Sequence, residues 1–360
     1  MVNIILAGGS GTRFWPVSRR QRPKQLARLW GDETMIEATA GRLRTASPEG
    51  QVVVVCGDHL LEETEEALEA VPGVRFLVEP AARNTLPAIA LAAIEVYQTV
   101  GDEPTGVFPA DHYVGDLDAF AACVGAAERE ARDGHIVTMG IEPTRPETGY
   151  GYIHFDDERA TTEEAGQIGA HPVEAFVEKP DRAVAREYLA SGDYLWNAGI
   201  FCFTPTTLFN EIERQLPEMY EAVEEIIDAW GSDRHEVVVR EAFAEMPSIS
   251  IDYGVMEGAD DVVVVPATFQ WSDVGHWAAV DEVRPTDQRG NVVEADATLM
   301  DVDDSVIYSD GDDRHVAAID LDDMIVVQTE DALLVAPKSS AQRVKELVGK
   351  LEDDGRDDLL

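Results

Sequence analysis

The sequence predicts an α/β protein: a doubly wound, mostly parallel sheet followed by a small all-β domain coiled like a β-helix. Three observations carry this. Short apolar runs alternate with amphipathic segments over residues 1–140. A more mixed pattern follows to about 285, and from 286 short apolar strands are separated by aspartate-rich turns. Strands alternating with helices imply βαβ units, and right-handed crossovers bring the carboxyl ends of the strands to one ligand-binding edge. The expected division is 1–285 and 286–360.

In the first region, strands are expected at 2–6, 52–56, 74–78, 105–108 and 135–139, with helices near 33–46, 58–70, 84–99 and 116–132. Gly8, Glu79-Pro80 and Asp111 then follow the first, third and fourth strands at the shared edge. In the second region, 149–155 and 173–179 read as strands, 196–203 as a central strand and 262–266 as another. Helices fall near 181–191, 205–215 and 217–230. In the third, strands near 290–297, 306–308, 316–319, 324–327 and 333–335 precede Pro337. Residues 339–352 form an amphipathic helix with Val344, Leu347, Val348 and Leu351 on one face. No strict repeat is present here, and a packing or assembly role is expected rather than chemistry.

Composition narrows the function. The chain has 360 residues, of which 45% are apolar, enough for a sizeable core. Its 28 basic and 70 acidic residues give a net charge of −42, which argues against nucleic-acid or anionic-membrane partners. Self-repulsion on this scale is relieved by salt. The acidity therefore reads as adaptation to a salt-rich, halophilic cytoplasm, with an ordinary acidic protein as the alternative. Cys56, Cys123 and Cys202 are too few and too far apart for a disulfide framework or a zinc site, so buried thiols are expected. Met1 leads directly into a strand, with no leader-like segment and no apolar run long enough for a membrane span, so a cytoplasmic location is expected.

The first strand runs into Gly8-Gly9-Ser10-Gly11-Thr12-Arg13. Bare backbone amides at the end of a strand suit phosphate oxygens, and glycine lets a ligand approach closely. Neither G-x-x-x-x-G-K-[ST] nor G-x-G-x-x-G is present, the latter failing at Phe14, so a simple tight turn is the competing reading. Arg13, Arg19, Arg20, Arg22 and Lys24 make this stretch unusually basic for so acidic a chain.

Further along, Asp111 follows an apolar strand, where a carboxylate can hold Mg²⁺ together with phosphate oxygens; capping the helix near 116 is the alternative. Asp273 in Trp271-Ser272-Asp273-Val274-Gly275 offers a second carboxylate for the same ion, or an N-cap for the next helix. Glu178-Lys179-Pro180 either binds a sugar phosphate or forms a surface ion pair. Asn197 is a polar side chain in an apolar strand, satisfied by sugar hydroxyls or by a local backbone bond. Asn84 and Thr85 either contact a nucleoside or cap the helix that follows. His112 reads as a packing or hydrogen-bonding residue.

The order of these features resembles the mannose-1-phosphate guanylyltransferases (GDP-mannose pyrophosphorylases) within the sugar-phosphate nucleotidyltransferases. The resemblance rests on Gly8 to Arg13, Pro23-Lys24-Gln25, Glu79 to Pro87, Pro109 to His112, Ser250-Ile251-Asp252-Tyr253 and Trp271 to Gly275, and runs through nearly the whole chain. Departures are Phe14 for Leu, Ala198 for Ser, Gly254 for Ala and His276 for Ser; none removes a charged group. Longer family members carry a phosphomannose isomerase domain, and this chain is expected to be monofunctional.

The resemblance implies a nucleotidyltransferase, Rossmann-like fold and the reaction of GTP with α-D-mannose 1-phosphate to give GDP-mannose and diphosphate. Nucleotidyl transfer to another sugar 1-phosphate is the alternative. It implies that Gly8 and Gly9 border the guanine, with Gly11 in the same nucleotide-binding loop, and that Asn84 contacts the nucleoside. Arg13 and Lys24 would neutralise the triphosphate and leaving diphosphate, and Asp111 and Asp273 would hold Mg²⁺. Gly151, Glu178 and Asn197 would position the sugar, with Lys179 on its phosphate. The expected partners are GTP and a sugar 1-phosphate, and a homodimer is compatible with them. A non-catalytic sensor would be expected to lose charges at Arg13, Lys24, Asp111, Lys179 or Asp273; all five are present.

Overall fold

The apolar runs at the start of the chain are β-branched and continuous, as strands covered on both faces must be. In the computed structural model, which describes residues 1–9, 11–29, 31–156, 168–311 and 314–360, they form β1 (Val2–Leu6), β2 (Gln51–Gly57), β3 (Val74–Glu79) and β4 (Thr105–Pro109). These lie parallel in the order β3-β2-β1-β4. Between them run α1 (Met35–Ala46), α2 (Leu61–Ala67) and α3 (Thr85–Thr99), and α4 (Leu117–Arg132) follows β4. The period of two splits the strands between two cores. Ile4 and Val107 pack in one with Leu86, Ile89 and Ala93 of α3. Ile5 and Phe108 pack in the other with Ile36 of α1 and Phe120 of α4.

Helix starts follow local chemistry. Thr34 and Glu37 form a reciprocal capping box on α1. Asp116 caps α4 by accepting from the Ala119 N–H at 3.1 Å. Asp111 is therefore not the cap of that helix.

The second half of the sheet is mixed. It contains β6 (Ile136–Ile141), β7 (Gly151–Phe155), β8 (His171–Glu178), β9 (Tyr194–Phe203) and β10 (Val262–Pro266), and the nine strands run β3-β2-β1-β4-β9-β6-β10-β8-β7. β9 is central, as expected, but antiparallel to both β4 and β6, while β10 is parallel to β6. The sheet is thus parallel only through β4 and again between β6 and β10. Strand direction depends on pairings far apart in the chain, which apolar patterning does not encode. β5 (Tyr113–Val114) and β11 (Trp271–Ser272) form a separate two-stranded ribbon beside it.

Outside the sheet lie α5 (Arg182–Ser191), α6 (Pro205–Gln215), α7 (Pro217–Asp228), α8 (His235–Glu245) and α9 (Ile251–Gly254). α8 is absent from the sequence expectation: Val237, Val238 and Val239 are a β-branched run, and Arg234 supplies no side-chain cap. It forms because Ala242 and Phe243 bury against the first core.

The C-terminal region coils as expected. β12 (Val292–Glu294), β14 (Val306–Ser309) and β16 (Met324–Gln328) stack in parallel, and β17 (Leu333–Pro337) closes that sheet antiparallel. β13 (Ala297–Asp303) and β15 (Val316–Asp322) stack in parallel on another side. Asp301, Asp304, Asp320 and Asp323 all take positive φ, the first and third at bends within β13 and β15 and the other two directly after them. Aspartate tolerates that conformation better than most residues, so these aspartates serve the turns as well as the surface charge. α10 (Val344–Asp353) ends the chain's regular structure, shorter than expected because 338–343 is a 3-10 segment. Its Val344 is buried, whereas Leu347 is exposed.

This region is not a separate appendage. Phe14, Trp15, Val17 and Leu29 share one core with Trp277, Val292, Tyr308, Ile325, Leu334 and Val344. Trp15 donates its indole N–H to the Leu359 carbonyl at 2.8 Å, and Tyr308 donates its hydroxyl to the Arg28 carbonyl at 2.7 Å. All three cysteines are free and buried. Among the described residues, no helix is long and apolar enough to cross a membrane.

Candidate active site

Three adjoining cavities lie along the carboxyl edge of the parallel strands. The first, about 290 Å³, is lined by Gly8, Gly9, Glu79, Arg83, Asn84 and their neighbours. Gly9 has φ +105, open to glycine alone at no cost. Asn84 also has positive φ, and its Oδ1 accepts from the Thr85 N–H at 2.9 Å. It is therefore a helix cap and a cavity-lining residue at once. Arg83 donates to the Met246 carbonyl at 2.7 Å, which holds the loop in place. Burial pushes the Glu79 carboxyl up. Ser10 lies outside the described residues.

The second cavity, also about 290 Å³, brings together Gly11, Arg13, Lys24, Asp111, Asp273 and Lys345. Lys24 is only 4% exposed. Its ammonium donates to the Asp111 carbonyl at 2.7 Å, to Asp111 Oδ2 at 3.0 Å and to the Asp273 carbonyl at 2.6 Å. All three N–H donors are thereby used. Lys24 is thus a buried tie between the two aspartate-bearing loops as well as part of the pocket lining. Gly11, with φ +54, makes this possible: a Cβ there would lie 2.3 Å from Lys24 Cβ.

Burial alone would disfavour the Asp111 carboxylate. The Lys24 charge and hydrogen bond outweigh it and hold the carboxyl below its usual range. His112 is pushed down to about 4 by burial and Lys24, against the opposing pull of Asp111. Its Nδ1 accepts from the Trp271 indole at 3.3 Å, so it has the local hydrogen-bonding role the sequence suggests. Asp273 Oδ1 accepts from the Tyr150 hydroxyl at 2.7 Å and from the Gly275 N–H at 3.1 Å. It is not an N-cap; residues 277–282 are a 3-10 turn that begins at His276 without a side-chain cap. Burial and the adjacent Asp273 charge raise the Tyr150 phenol, so Tyr150 stays a donor.

The third cavity, about 680 Å³, shares Arg13, Asp273 and Gly275 with the second and adds Arg145, Tyr150, Lys179 and Gln342 among others. Lys179 pairs with Glu178 at 2.5 Å, so the ion-pair reading holds, with the lysine also facing the cavity. Gly151 pairs in register with Glu178, and a Cβ on it would meet Glu178 Oε2 at 2.6 Å and Asn197 Cβ at 3.3 Å. These three form one cluster but are not among the residues lining the third cavity; Gly149 lines it instead. Asn197 Oδ1 accepts from Thr138 and from the Gly199 N–H, both at 3.0 Å, and its Nδ2 donates to Asp252 at 2.9 Å. The local backbone bond is therefore present, together with a side-chain network.

Two features go beyond the sequence reading. The basic stretch after the glycine loop does not converge on the charge pocket. Arg19 pairs with Asp331 at 2.8 Å, Arg20 with Glu352 at 2.5 Å and Arg22 with Asp310 at 3.9 Å, fastening the loop to the C-terminal domain. Only Arg13 and Lys24 of the five reach the pocket. The C-terminal domain also contributes to the cavities, Gln342 lining the third and Lys345 the second. Sequence reasoning missed them, along with Arg145 and Tyr150. Gly149-Tyr150-Gly151 was itself a visible signal for Tyr150.

Among the described residues, no group of three or more His, Cys, Asp or Glu side chains converges to hold a metal. Two aspartates held by one lysine instead suit a hard divalent cation that takes its remaining ligands from phosphate and water. The bonds above use one carboxylate oxygen of each aspartate.

A doubly wound sheet, a cavity at its glycine turn and an adjoining two-carboxylate charge pocket define an α/β enzyme of the nucleotide-dependent phosphoryl-transfer class. The nucleotidyl transferase family description matches residues 2–290, and a MannoseP isomerase/GMP-like beta-helix domain matches 290–351. The chain is 39% identical to a mannose-1-phosphate guanylyltransferase of Klebsiella pneumoniae, over 99% of this chain and 75% of that protein. It is 38% identical to the one of Escherichia coli K12, over 98% and 74%. A solved structure titled mannose-1-phosphate geranyltransferase, from Thermus thermophilus, superposes with a TM-score of 0.85 at 36% identity, covering 98% of this chain and 99% of that one. The chain belongs to the nucleotidyl transferase family.

Proposed function

We propose that the protein is a mannose-1-phosphate guanylyltransferase. It transfers GMP from GTP to α-D-mannose 1-phosphate, forming GDP-mannose and diphosphate. The observation that carries this is the sharing of Asp273 and Arg13 between the charge pocket and the cavity that holds Lys179. One face of that pair can meet a triphosphate while the other meets a sugar phosphate. The relatives named mannose-1-phosphate guanylyltransferase support the choice of substrates.

In this reading an oxygen of the sugar phosphate attacks the α-phosphorus. A new P–O bond forms, the bond to the bridging oxygen breaks, and the electron pair leaves with diphosphate. The attacking oxygen is already ionised at neutral pH, so no general base is needed and catalysis is positioning and charge neutralisation. Gly8, Gly9 and Asn84 border the nucleoside, Gly11 shapes the loop, and Arg13 meets the triphosphate. Asp111 and Asp273 hold Mg²⁺, whose bound charge would neutralise the phosphate oxygens; Lys24 keeps the two carboxylates in place. Lys179 orients the sugar phosphate, and Gly151, Glu178 and Asn197 shape the sugar side.

The acid excess supports a salt-rich cytoplasm as the working environment. The test of both is diphosphate release with Mg²⁺, each NTP and a panel of sugar 1-phosphates, at high and low KCl. The expected result is release with GTP and mannose 1-phosphate that falls at low salt. No release with that pair rejects the activity, and equal rates at both salts reject the halophilic reading.

A further inference from the structure

We propose that Lys345, in the first turn of α10, is a phosphate-binding residue of the transfer site, so that the C-terminal domain completes the pocket for the leaving diphosphate. The inference rests on the guanylyltransferase reading above.

Four observations lead to it. Lys345 lines the charge pocket with Arg13, Lys24, Asp111 and Asp273, and Gln342 on the preceding turn lines the adjoining cavity. Its position is fixed: the neighbouring Val344 is buried in the core shared with Phe14 and Trp15, directly after the glycine loop. The cations of the pocket also differ in what they can offer a ligand. Lys24 has spent its donors on Asp111 and Asp273, whereas Arg13 and Lys345 are exposed and have no ion pair among the described residues.

The fourth observation concerns where the chain keeps its lysines. It has only five, Lys24, Lys179, Lys338, Lys345 and Lys350, against 70 acidic residues. Lys338 is paired with Asp281 at 2.7 Å, and Lys24 and Lys179 lie in the two catalytic cavities. An unpaired lysine amid such an acid excess, at the N-terminal end of a helix where the dipole disfavours a cation, gains nothing from local structure. Its charge is explained by an anion arriving in the pocket. Asp111 and Asp273 with Lys24 leave one net negative charge there, so a triphosphate needs Arg13, Lys345 and the bound divalent cation to enter. A lysine suits this task as a mobile point charge with three donors, following the phosphates as the bridging bond lengthens.

The test uses the full chain with Lys345→Met and Lys345→Arg, each checked for an unchanged urea midpoint. In the reverse direction, from GDP-mannose and diphosphate, Lys345→Met should raise KM for diphosphate by about ten-fold or more, the scale of one charged hydrogen-bonding contact. KM for GDP-mannose should move less than about two-fold, and Lys345→Arg should recover most of the loss. Calorimetry of inorganic diphosphate with Mg²⁺ on wild type and Lys345→Met separates the two layers. If wild type fails to transfer GMP yet binds diphosphate in a Lys345-dependent way, the function reading falls and the phosphate site stands. Equal diphosphate binding by both proteins, or equal rises in every KM, overturns the site.

Discussion

Replacing Lys24 with Met removes a buried charge while keeping most of the side-chain volume. Three acceptors then lose their donor: the carbonyls of Asp111 and Asp273 and the Asp111 carboxylate. Orphaning one partner of a buried ion pair costs about 3–5 kcal/mol, and each stranded carbonyl about 1–3 kcal/mol. Asp111 is 36% exposed at its side chain, so water recovers part of the loss. These terms overlap, and a net destabilisation of about 3–4 kcal/mol is expected. The effect also has a pH signature. In the wild type the Asp111 carboxyl lies below its ordinary range, so its contribution is present above the unfolded value, near 3.9, and is lost as pH falls through the folded value. Without Lys24 the burial that opposes ionisation is uncompensated, and the carboxyl rises instead. The loss should therefore be full at pH 7.5 and shrink as pH falls towards about 4. Urea unfolding in high salt measures it: with a slope of about 3 kcal/mol/M, the midpoint should drop by about 1 M at pH 7.5. A drop below about 0.3 M, or one that does not change with pH, refutes the reasoning.

Asp111→Asn and Asp273→Asn should each lower kcat by about 10²-fold or more, the scale of losing one electrostatic stabiliser, and near wild-type turnover at saturating Mg²⁺ counts against the metal assignment. Gly11→Ala forces a Cβ into the Lys24 backbone at positive φ, and should cost about 2–3 kcal/mol with at least a ten-fold loss of activity. Gly8→Ala, where nothing lies within 4 Å, should leave the urea midpoint nearly unchanged; equal destabilisation by both would contradict the steric account. Burial, with nearby carboxylates, raises the Cys56 thiol to about 11, and burial raises Cys202 to about 12. A disulfide-exchange reagent at pH 8 should therefore find no fast thiol in the native protein and all three after denaturation, so a native thiol that reacts within seconds is the contrary result.

What the sequence displayed was whatever short-range chemistry decides. Ile4 and Ile5 alternate between two cores, so β1 could be placed from its apolar run. Pro205 and Pro217 open α6 and α7 where proline fits, and Asp304 and Asp323 mark the turns after β13 and β15. What stayed hidden depends on partners far away in the chain. Nothing in Tyr194–Phe203 states that β9 will insert antiparallel between β4 and β6. Arg19 and Arg20 read only as part of an unusually basic stretch because their partners, Asp331 and Glu352, lie more than 300 residues on. Lys345 carries no signal of its own in the sequence; it reaches the pocket because Val344 docks that helix behind the glycine loop. Asn84 shows the opposite limit: its cap and its place in a cavity were both visible, and only geometry reveals that one residue does both.

The order of strands has a consequence for how the protein is made. Every residue lining the first cavity lies between Leu6 and Ala88, and the parallel strands that support it end at Pro109. The charge pocket needs Asp273 and, last of all, Lys345. On a ribosome, the lining of the first cavity is made while Asp273 and Lys345 are still unmade, although Met246, which anchors Arg83 in that lining, comes later too. A chain halted before Asp273 therefore carries the lining of one cavity without that of the next.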